Sequence, residues 1–326
     1  MNKRFGNTDL ETSSIIYGCM GGAGAFGAQE EKDSIEALQE AFNLGINFFD
    51  TAEAYGNGYS EQLLQRALGK QRFELVISSK VAEQNMAPGD IIEACERSLK
   101  NLGTDFIDLY MLHWPNRDVP LADSIAALEK LKQDGKIRWF GVSNFGNLDL
   151  DEALSLGEIS VNQLPYHLFS RAIEFEVQPK CESADVPIMC YSSLMQGLLA
   201  GKYKSLNDFP VNRARTRMFD HRKWPEVVHK ENGAEQAGQE LLDALWALVD
   251  ETDYSMEELA IGWLKSRSAV GGVIVGTRNG DQSRGLRKLL EIELEDSVLE
   301  ALSTASNRLK NELGSDIDMW GKGRTR

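Results

Sequence analysis

The stretch INFFDTAEAYGNGYSEQLLQRALG, Ile46–Gly69, contains one complete strand–loop–helix unit. Its opening residues are bulky and apolar without strict alternation, the pattern of a strand covered on both faces. The run ends in an acid, Asp50, and the loop behind it carries Tyr55 five residues on. SEQLLQRALG then reads as a helix with Gly69 as its stop. An aspartate and a phenol have little packing reason to share so short a loop.

The unit recurs in both directions. Upstream, SSIIYGCM precedes EEKDSIEALQEAFNLG, where Ile35, Leu38 and Phe42 mark one helical face and Gly45 ends it. Downstream, FELVISSK precedes PGDIIEACERSLKNLG, opened by Pro88 and closed by Gly103. FIDLYMLH precedes LADSIAALEKLKQDG, closed by Gly135. IRWFGVSN, ISVNQL, VPIMCYSS and GGVIVGTR complete eight strand candidates. Eight such units predict a closed (β/α)8 TIM barrel, here a single domain over residues 1–326. KRFGNTDLET reads as an N-terminal β-hairpin around Gly6-Asn7, placed to plug the barrel floor. The seventh and eighth strands are separated by roughly eighty residues, and an insertion of that size is expected to be functional. Its segment 203–235 is read as a flap, followed by two helices.

With 326 residues, a formal net charge of −15 and a hydrophobic fraction of 42%, the chain has ample material for a large core. The acidic balance disfavours a general nucleic-acid or anionic-membrane surface. No apolar run approaches about 18 residues and MNKRFGNTDL lacks an apolar leader core, so neither a membrane span nor a signal peptide is expected. Cys19, Cys95, Cys181 and Cys190 show no paired spacing and are expected as free thiols in a reducing cytoplasm. The four histidines form no metal signature, and no metal is expected.

GGAGAFG invites a rival reading. Gly22, Gly24 and Gly27 stand as G-x-G-x-x-G between a strand and a helix, and Asp50 ends the next strand, close to a dinucleotide-binding fingerprint. In that fold a pyrophosphate sits on the first turn of the helix. Here that turn carries Glu30, Glu31 and Asp33, which repel a diphosphate and suit the helix dipole instead. The glycines are therefore read as a flexible loop at the barrel mouth.

Chemistry in such barrels gathers at the C-terminal ends of the strands. Asp50 ends the second strand, Lys80 the third and His113 the fourth. Ser143-Asn144 are placed at the end of the fifth, Asn162-Gln163 of the sixth, Tyr191-Ser192 of the seventh and Gly276-Thr277-Arg278 of the eighth. Polar groups converging on one rim are hard to explain by core packing, because buried charge is expensive unless paired. Tyr, Lys, Asp and His together suit a proton donor. An ammonium beside the phenol is expected to lower its pKa, a carboxylate to hold the ammonium, and a histidine to orient a carbonyl oxygen. A hydride is the missing component, and side chains cannot supply one, so a nicotinamide cofactor is implied.

In order and spacing, FFDTAEAYG-x-x-x-SE, SSK, LHWP, GVSN, NQ, YSSL-x-x-G-L-L-x-GKY and GTR-x-x-x-Q resemble the aldo-keto reductase superfamily, from about Phe5 to the last helical pattern. The resemblance implies a tetrad of Asp50, Tyr55, Lys80 and His113, with Tyr55 as general acid. It implies NADP(H), or NAD(H), held at the nicotinamide by Ser143, Asn144, Gln163 and Tyr191, beside Asp50. Ser192, Leu194, Gly197 and Lys202 match the segment that follows the pyrophosphate, and Gly276, Thr277, Arg278 and Gln282 the segment around the adenosine ribose and its 2′-phosphate. Trp114 and Phe26 would join Tyr55 and His113 around a small carbonyl or alcohol substrate; Met20 (toward the cofactor) and Tyr59 sit on neighbouring loops.

Two positions depart from the family pattern: Ser193 stands where Pro is common, and Leu286 where an Asn usually faces the adenine amino group. Arg213, Arg215 and Arg217 are either an ion-paired stretch or part of the flap. SDIDMWGKGRTR either folds over the mouth or barrel side, or meets another subunit. The implied activity is NADP(H)-dependent reduction of an aldehyde or ketone. The alternatives are an NAD-dependent sugar or polyol dehydrogenase and a cofactor-binding regulatory subunit.

Overall fold

Short strands with two apolar faces must be covered on both sides, and this chain does so by closing its sheet into a ring. The computed structural model describes residues 2–24, 27 and 29–326. β1 (Lys3–Arg4) and β2 (Glu11–Thr12) form an antiparallel hairpin. The barrel consists of β3 (Ile15–Gly18), β4 (Phe48–Asp50), β5 (Val76–Val81), β6 (Ile107–Leu112), β7 (Ile137–Ser143), β8 (Asn162–Pro165), β9 (Ile188–Tyr191) and β10 (Val270–Val275). They pair in parallel in chain order, and β10 closes the ring on β3. Around it lie α1 (Glu31–Asn43), α2 (Tyr59–Leu68), α3 (Pro88–Leu102), α4 (Leu121–Gln133), α5 (Asn147–Leu156) and α6 (Val177–Ser183). α7 (Glu235–Glu251), α8 (Met256–Lys265), α9 (Gly280–Glu291) and α10 (Asp296–Leu313) complete the set.

Strand periodicity decides which residues reach the mouth. Side chains alternate between barrel interior and helix layer. Ile16, Phe48, Val76, Leu109, Met111, Val161, Met189 and Ile274 form the inner cluster, which Phe5 and Leu10 of the hairpin close from below. Their neighbours Ile15, Tyr17, Phe49, Ile77, Tyr110 and Leu112 pack outward against the helices. Counting by two along each inward series gives Phe48 then Asp50, Val76 then Ser78 and Lys80, Met111 then His113, Val161 then Gln163, and Met189 then Tyr191. The polar rim is the top layer of the inward-facing residues.

One local expectation is corrected and two others gain detail. α2 ends at Leu68 with Gly69 as its C-cap, as expected, although with φ −59° and ψ −28° Gly69 is not left-handed and runs on into a 3-10 turn through Glu74. That turn is held by Arg72, whose guanidinium pairs with Asp108 at 2.9 Å and donates to the Phe106 carbonyl. Asn162 and Gln163 open β8 rather than ending it, since pairing with β9 runs on to Pro165. Only Gln163 has the inward parity; the Asn162 amide donates to the Phe145 carbonyl instead. The glycine-rich segment opens, where it is described, with a 3-10 turn over Cys19–Ala23, and Gly22 lies so close to Leu63 that a methyl group would crowd it. Phe26 lies outside the described residues.

The insertion after β9 packs Tyr203, Phe209, Phe219 and Trp224 in a chain of ring contacts before α7 begins. The four cysteines are free and buried, and burial raises every thiol pKa. Among the described residues, no helix is long and apolar enough to cross a membrane, and no group of three or more His, Cys, Asp or Glu could hold a metal.

α10 is fastened to the barrel by a half-buried carboxylate. Glu174 accepts from Arg171 and Tyr166 at 2.7 Å and from Lys310 at 2.8 Å. Although desolvation alone would raise it, these donors hold the Glu174 pKa down at about 2. A depressed carboxylate stabilises the fold fully above its unfolded pKa, about 4.3, and loses that contribution as pH falls toward 2. Glu174→Gln should therefore be less stable than wild type at pH 6, by about 1–3 kcal/mol. The gap should close toward pH 2–3. Urea midpoints across this range measure it, and a gap independent of pH would count against the carboxylate.

Candidate active site

Each rim residue is fixed by its own backbone. The loop carrying Tyr55 turns through three consecutive left-handed residues, Gly56, Asn57 and Gly58, at φ 62°, 52° and 84°. Its far end is anchored by buried Glu61, which accepts from Ser79 at 2.6 Å and Asn101 at 2.9 Å. Ser60 bonds to Thr51 at 2.9 Å and to the Cys19 carbonyl at 3.1 Å. Both anchors belong to the quoted Ser-Glu pair that opens α2.

Below the phenol lies a fully enclosed ion pair. The Lys80 ammonium donates to both Asp50 oxygens at 2.9 and 2.8 Å and to the Thr51 carbonyl at 2.7 Å. Asp50 also accepts from Ser78 at 2.7 Å and from the Gln163 amide at 2.9 Å. Lys80 has no solvent exposure, so its charge depends on this cage. Its Nζ lies 5.1 Å from the centre of the Tyr55 ring, and that ring meets His113 edge-on at 5.7 Å.

The expected lowering of the Tyr55 pKa is overturned. Burial, then the Asp50 carboxylate, push the phenol well above its ordinary range. Lys80 cannot reverse this, because its three donors are spent on Asp50 and Thr51 and Asp50 offsets its charge. His113 moves the other way: burial and the cations Lys80 and Arg324 lower its pKa to about 3. The rim therefore presents a protonated phenol beside a neutral imidazole, whose one ring N–H can donate to an oxygen.

The other expected residues fall into three groups. Ser143, Asn144, Gln163 and Tyr191 join the tetrad at the mouth. Asn144 is left-handed at φ 64°, and this turns its amide to donate to the His113 carbonyl and Ser143 Oγ, both at 3.0 Å. Tyr191 donates to Asn144 Oδ1 at 2.8 Å, and Trp320 donates to the Tyr191 hydroxyl at 3.3 Å. A second group follows β9. Ser192, Met195, Gln196 and Gly197 all have positive φ, strain of the kind concentrated at ligand clamps. Ser192 Oγ, Gln196 Nε2 and Arg215 Nε are buried there without a partner. Leu194 is half-buried, whereas Lys202 is exposed beyond the turn. Two orphaned polar atoms on a strained loop, with Arg215 Nε brought beside them from the insertion, fit the pyrophosphate of a dinucleotide, which would supply their acceptors.

The third group surrounds a cleft of about 370 Å³ lined by Gln29, Glu30, Asp33, Arg278, Asn279 and Gln282. Gln282 accepts from the Arg278 backbone at 2.9 Å, and Gln29 donates to the Arg278 carbonyl at 2.7 Å. Thr277 is turned inward, bonded to Tyr17 at 2.9 Å and Ser283 at 2.6 Å, and Gly276 is exposed. Leu286 packs into the core instead of facing the cleft. Met20 is exposed on its turn, and Tyr59 ties α2 to Glu31 of α1.

The flap arginines divide. Arg217 is ion-paired with Glu231 at 2.9 Å, whereas Arg213 and Arg215 reach Gln196 at 3.4 and 3.1 Å. The C-terminal segment folds over the mouth: Trp320 meets Tyr191, and the Arg324 guanidinium lies 3.1 Å from the centre of the Trp114 ring. Sequence reasoning left the tail's position open. Its one visible signal was Met319-Trp320, an apolar pair in an otherwise polar tail.

A parallel (β/α)8 barrel with a buried Asp–Lys pair, a phenol and a neutral imidazole at its mouth has the makings of an oxidoreductase. The chain belongs to the aldo/keto reductase family, whose model matches residues 14–307. The methylglyoxal reductase YeaE of Escherichia coli is 40% identical over 172 residues, 52% of this chain and 60% of that protein. The NADH-specific methylglyoxal reductase of the same organism is 30% identical over 319 residues, covering 90% of this chain and 94% of that protein. The crystal structure of an aldo-keto reductase from Klebsiella pneumoniae in complex with NADPH superposes with a TM-score of 0.73 at 26% identity, covering 93% of this chain and 94% of that one.

Proposed function

We propose that this oxidoreductase reduces a small aldehyde or ketone with NADP(H), and that Tyr55 protonates the carbonyl oxygen. The observation that carries the reading is the enclosed Asp50–Lys80 pair, seated under Tyr55 and bonded to Gln163. The nicotinamide cofactor, when bound, supplies the hydride. Tyr55 stays protonated at neutral pH and holds the proton at its phenolic oxygen. His113, neutral there, donates its ring N–H to the same substrate oxygen and orients it. Asp50 keeps Lys80 charged and fixes the Gln163 amide; Ser143, Asn144, Gln163 and the ring of Tyr191 would position the carboxamide and ring. Ser192, Leu194, Gly197 and Gln196 would line the pyrophosphate. The four free, buried cysteines suit a reducing cytoplasm. Methylglyoxal, named for two relatives, is the first carbonyl to assay, with both cofactors and in both directions; no nicotinamide-dependent turnover on any small carbonyl or alcohol would defeat the reading.

The cleft beside Arg278 also supports a second reading, an NAD-dependent dehydrogenase of sugars or polyols. Arg278 and Gln282 suit a 2′-phosphate, but Glu30 and Asp33 on the opposite wall oppose its charge, and Leu286 offers the adenine no amide. Preference for NADPH over NADH should accordingly be modest, at most about tenfold in Kd, or 1.4 kcal/mol. Glu30→Gln/Asp33→Asn should tighten NADPH severalfold and leave NADH nearly unchanged, as read from quenching of tryptophan fluorescence. Equal effects on both cofactors would place the acids outside the phosphate's reach.

A further inference from the structure

The segment beyond α10 is held across the mouth by two carboxylates. Asp318 is buried and accepts the backbone N–H groups of Trp320, Lys322 and Arg324 at 3.2, 3.1 and 3.3 Å. Asp149, at the start of α5, accepts from the Arg326 backbone N–H at 2.7 Å, from Arg326 Nε at 2.9 Å and from Arg117 at 2.9 Å. The Leu148 N–H donates to the Arg326 carbonyl oxygen at 3.0 Å. Gly146 admits this contact, because a side chain there would overlap the Arg326 backbone.

So fastened, the tail brings Arg324 to the substrate side of the rim. Its guanidinium lies on Trp114, the residue after His113, and its charge is among those acting on that imidazole. Its bonding is unlike that of the other tail arginine. Arg326 donates through its side chain to Asp149 and Glu152, at 2.9 and 2.7 Å. Arg324 has carboxylates only at 3.6 Å (Glu83) and 3.7 Å (Asp318), beyond hydrogen-bonding distance, and its Nε is buried with no acceptor. A planar guanidinium fork, held over an aromatic ring with unfilled donors, is the arrangement that receives a carboxylate. Glu83 and Asp318 balance its charge without occupying the fork.

We propose that Arg324 binds a carboxylate on the substrate, so that the preferred substrates are oxo acids, carbonyl compounds bearing an acid group, rather than neutral carbonyls. This rests on the reductase reading of the same mouth. Trp114 contributes its face to the guanidinium, and the tail makes the mouth selective through a residue more than two hundred positions from the tetrad.

The test compares 4-formylbenzoate with its neutral methyl ester, in wild type and Arg324→Gln. Reduction is read as the acid-to-ester ratio of kcat/KM, and binding as quenching of tryptophan fluorescence in the presence of oxidised cofactor. Wild type should favour the acid, and Arg324→Gln should lower the ratio by about tenfold or more, mainly through KM. The acid's advantage should also shrink between 50 and 500 mM NaCl in wild type only. A variant that weakens acid and ester equally shows that Arg324 merely holds the tail, and an unchanged ratio shows that it does not face substrate; either overturns the proposal. If neither compound is reduced yet the Arg324-dependent binding preference persists, the carboxylate site stands and the reductase reading fails.

Discussion

Tyr55→Phe is expected to lower kcat for carbonyl reduction by about 10²–10⁴-fold, the range supplied by a positioned general acid. Cofactor affinity should stay within a factor of about three, since the change removes one oxygen and no charge at neutral pH. The ring remains and keeps its contacts with His113 and Lys80, so the fold should be unaffected. pH provides an independent check. Burial and Asp50 raise the Tyr55 pKa, so the phenol holds its proton through the neutral range and well above it. His113, lowered to about 3, is neutral throughout that range as well. The reduction rate of wild type should therefore show no inflection from either group between pH 5 and 9. Near-normal turnover in the phenylalanine variant would remove Tyr55 from the chemistry. A wild-type inflection near pH 7 that disappears in a His113 variant would show that the imidazole titrates during catalysis.

The barrel and the polar strand ends at its mouth were legible because both follow from local periodicity. Phe48 and Asp50, Met111 and His113, and Val161 and Gln163 are each two residues apart, so an apolar inward series marks its own polar top. Pro88 and Gly103 mark the ends of α3 for equally local reasons. Gly69 marked the end of α2 as expected, but the 3-10 turn that follows was not legible, because it depends on Arg72 finding Asp108, a contact between different units. The direction of the Tyr55 shift was illegible for a related reason. Lysine beside tyrosine suggests a lowered pKa, but the sign depends on where three ammonium protons point, and they point at Asp50 and Thr51. The tail was the least legible element. Its position depends on Asp149 and Gly146, far away in the chain, and no composition or period in its own polar sequence encodes such contacts.

Asp50→Asn should damage stability and activity together, and a second substitution should separate them. Among the described residues, Asp50 is the only carboxylate bonded to Lys80, a cation with no exposure to solvent. Removing one partner of an enclosed pair leaves the other charge uncompensated, at a cost of about 3–5 kcal/mol. In a barrel of this size that lowers Tm by about 4–7 °C. The change also frees the Gln163 amide and the Lys80 side chain, both of which Asp50 aligns. Loss of that alignment should lower kcat by about a hundredfold or more. Asp50→Asn/Lys80→Met removes the stranded charge, and enclosed ion pairs replaced by neutral groups of similar volume often recover their stability. The double variant should therefore regain most of the lost Tm while its activity stays low. If instead the double variant recovers turnover along with Tm, the pair serves only the fold. If Asp50→Asn alone is as stable as wild type, the enclosed pair does not hold the fold and the proton-delivery assignment has to be rebuilt without it.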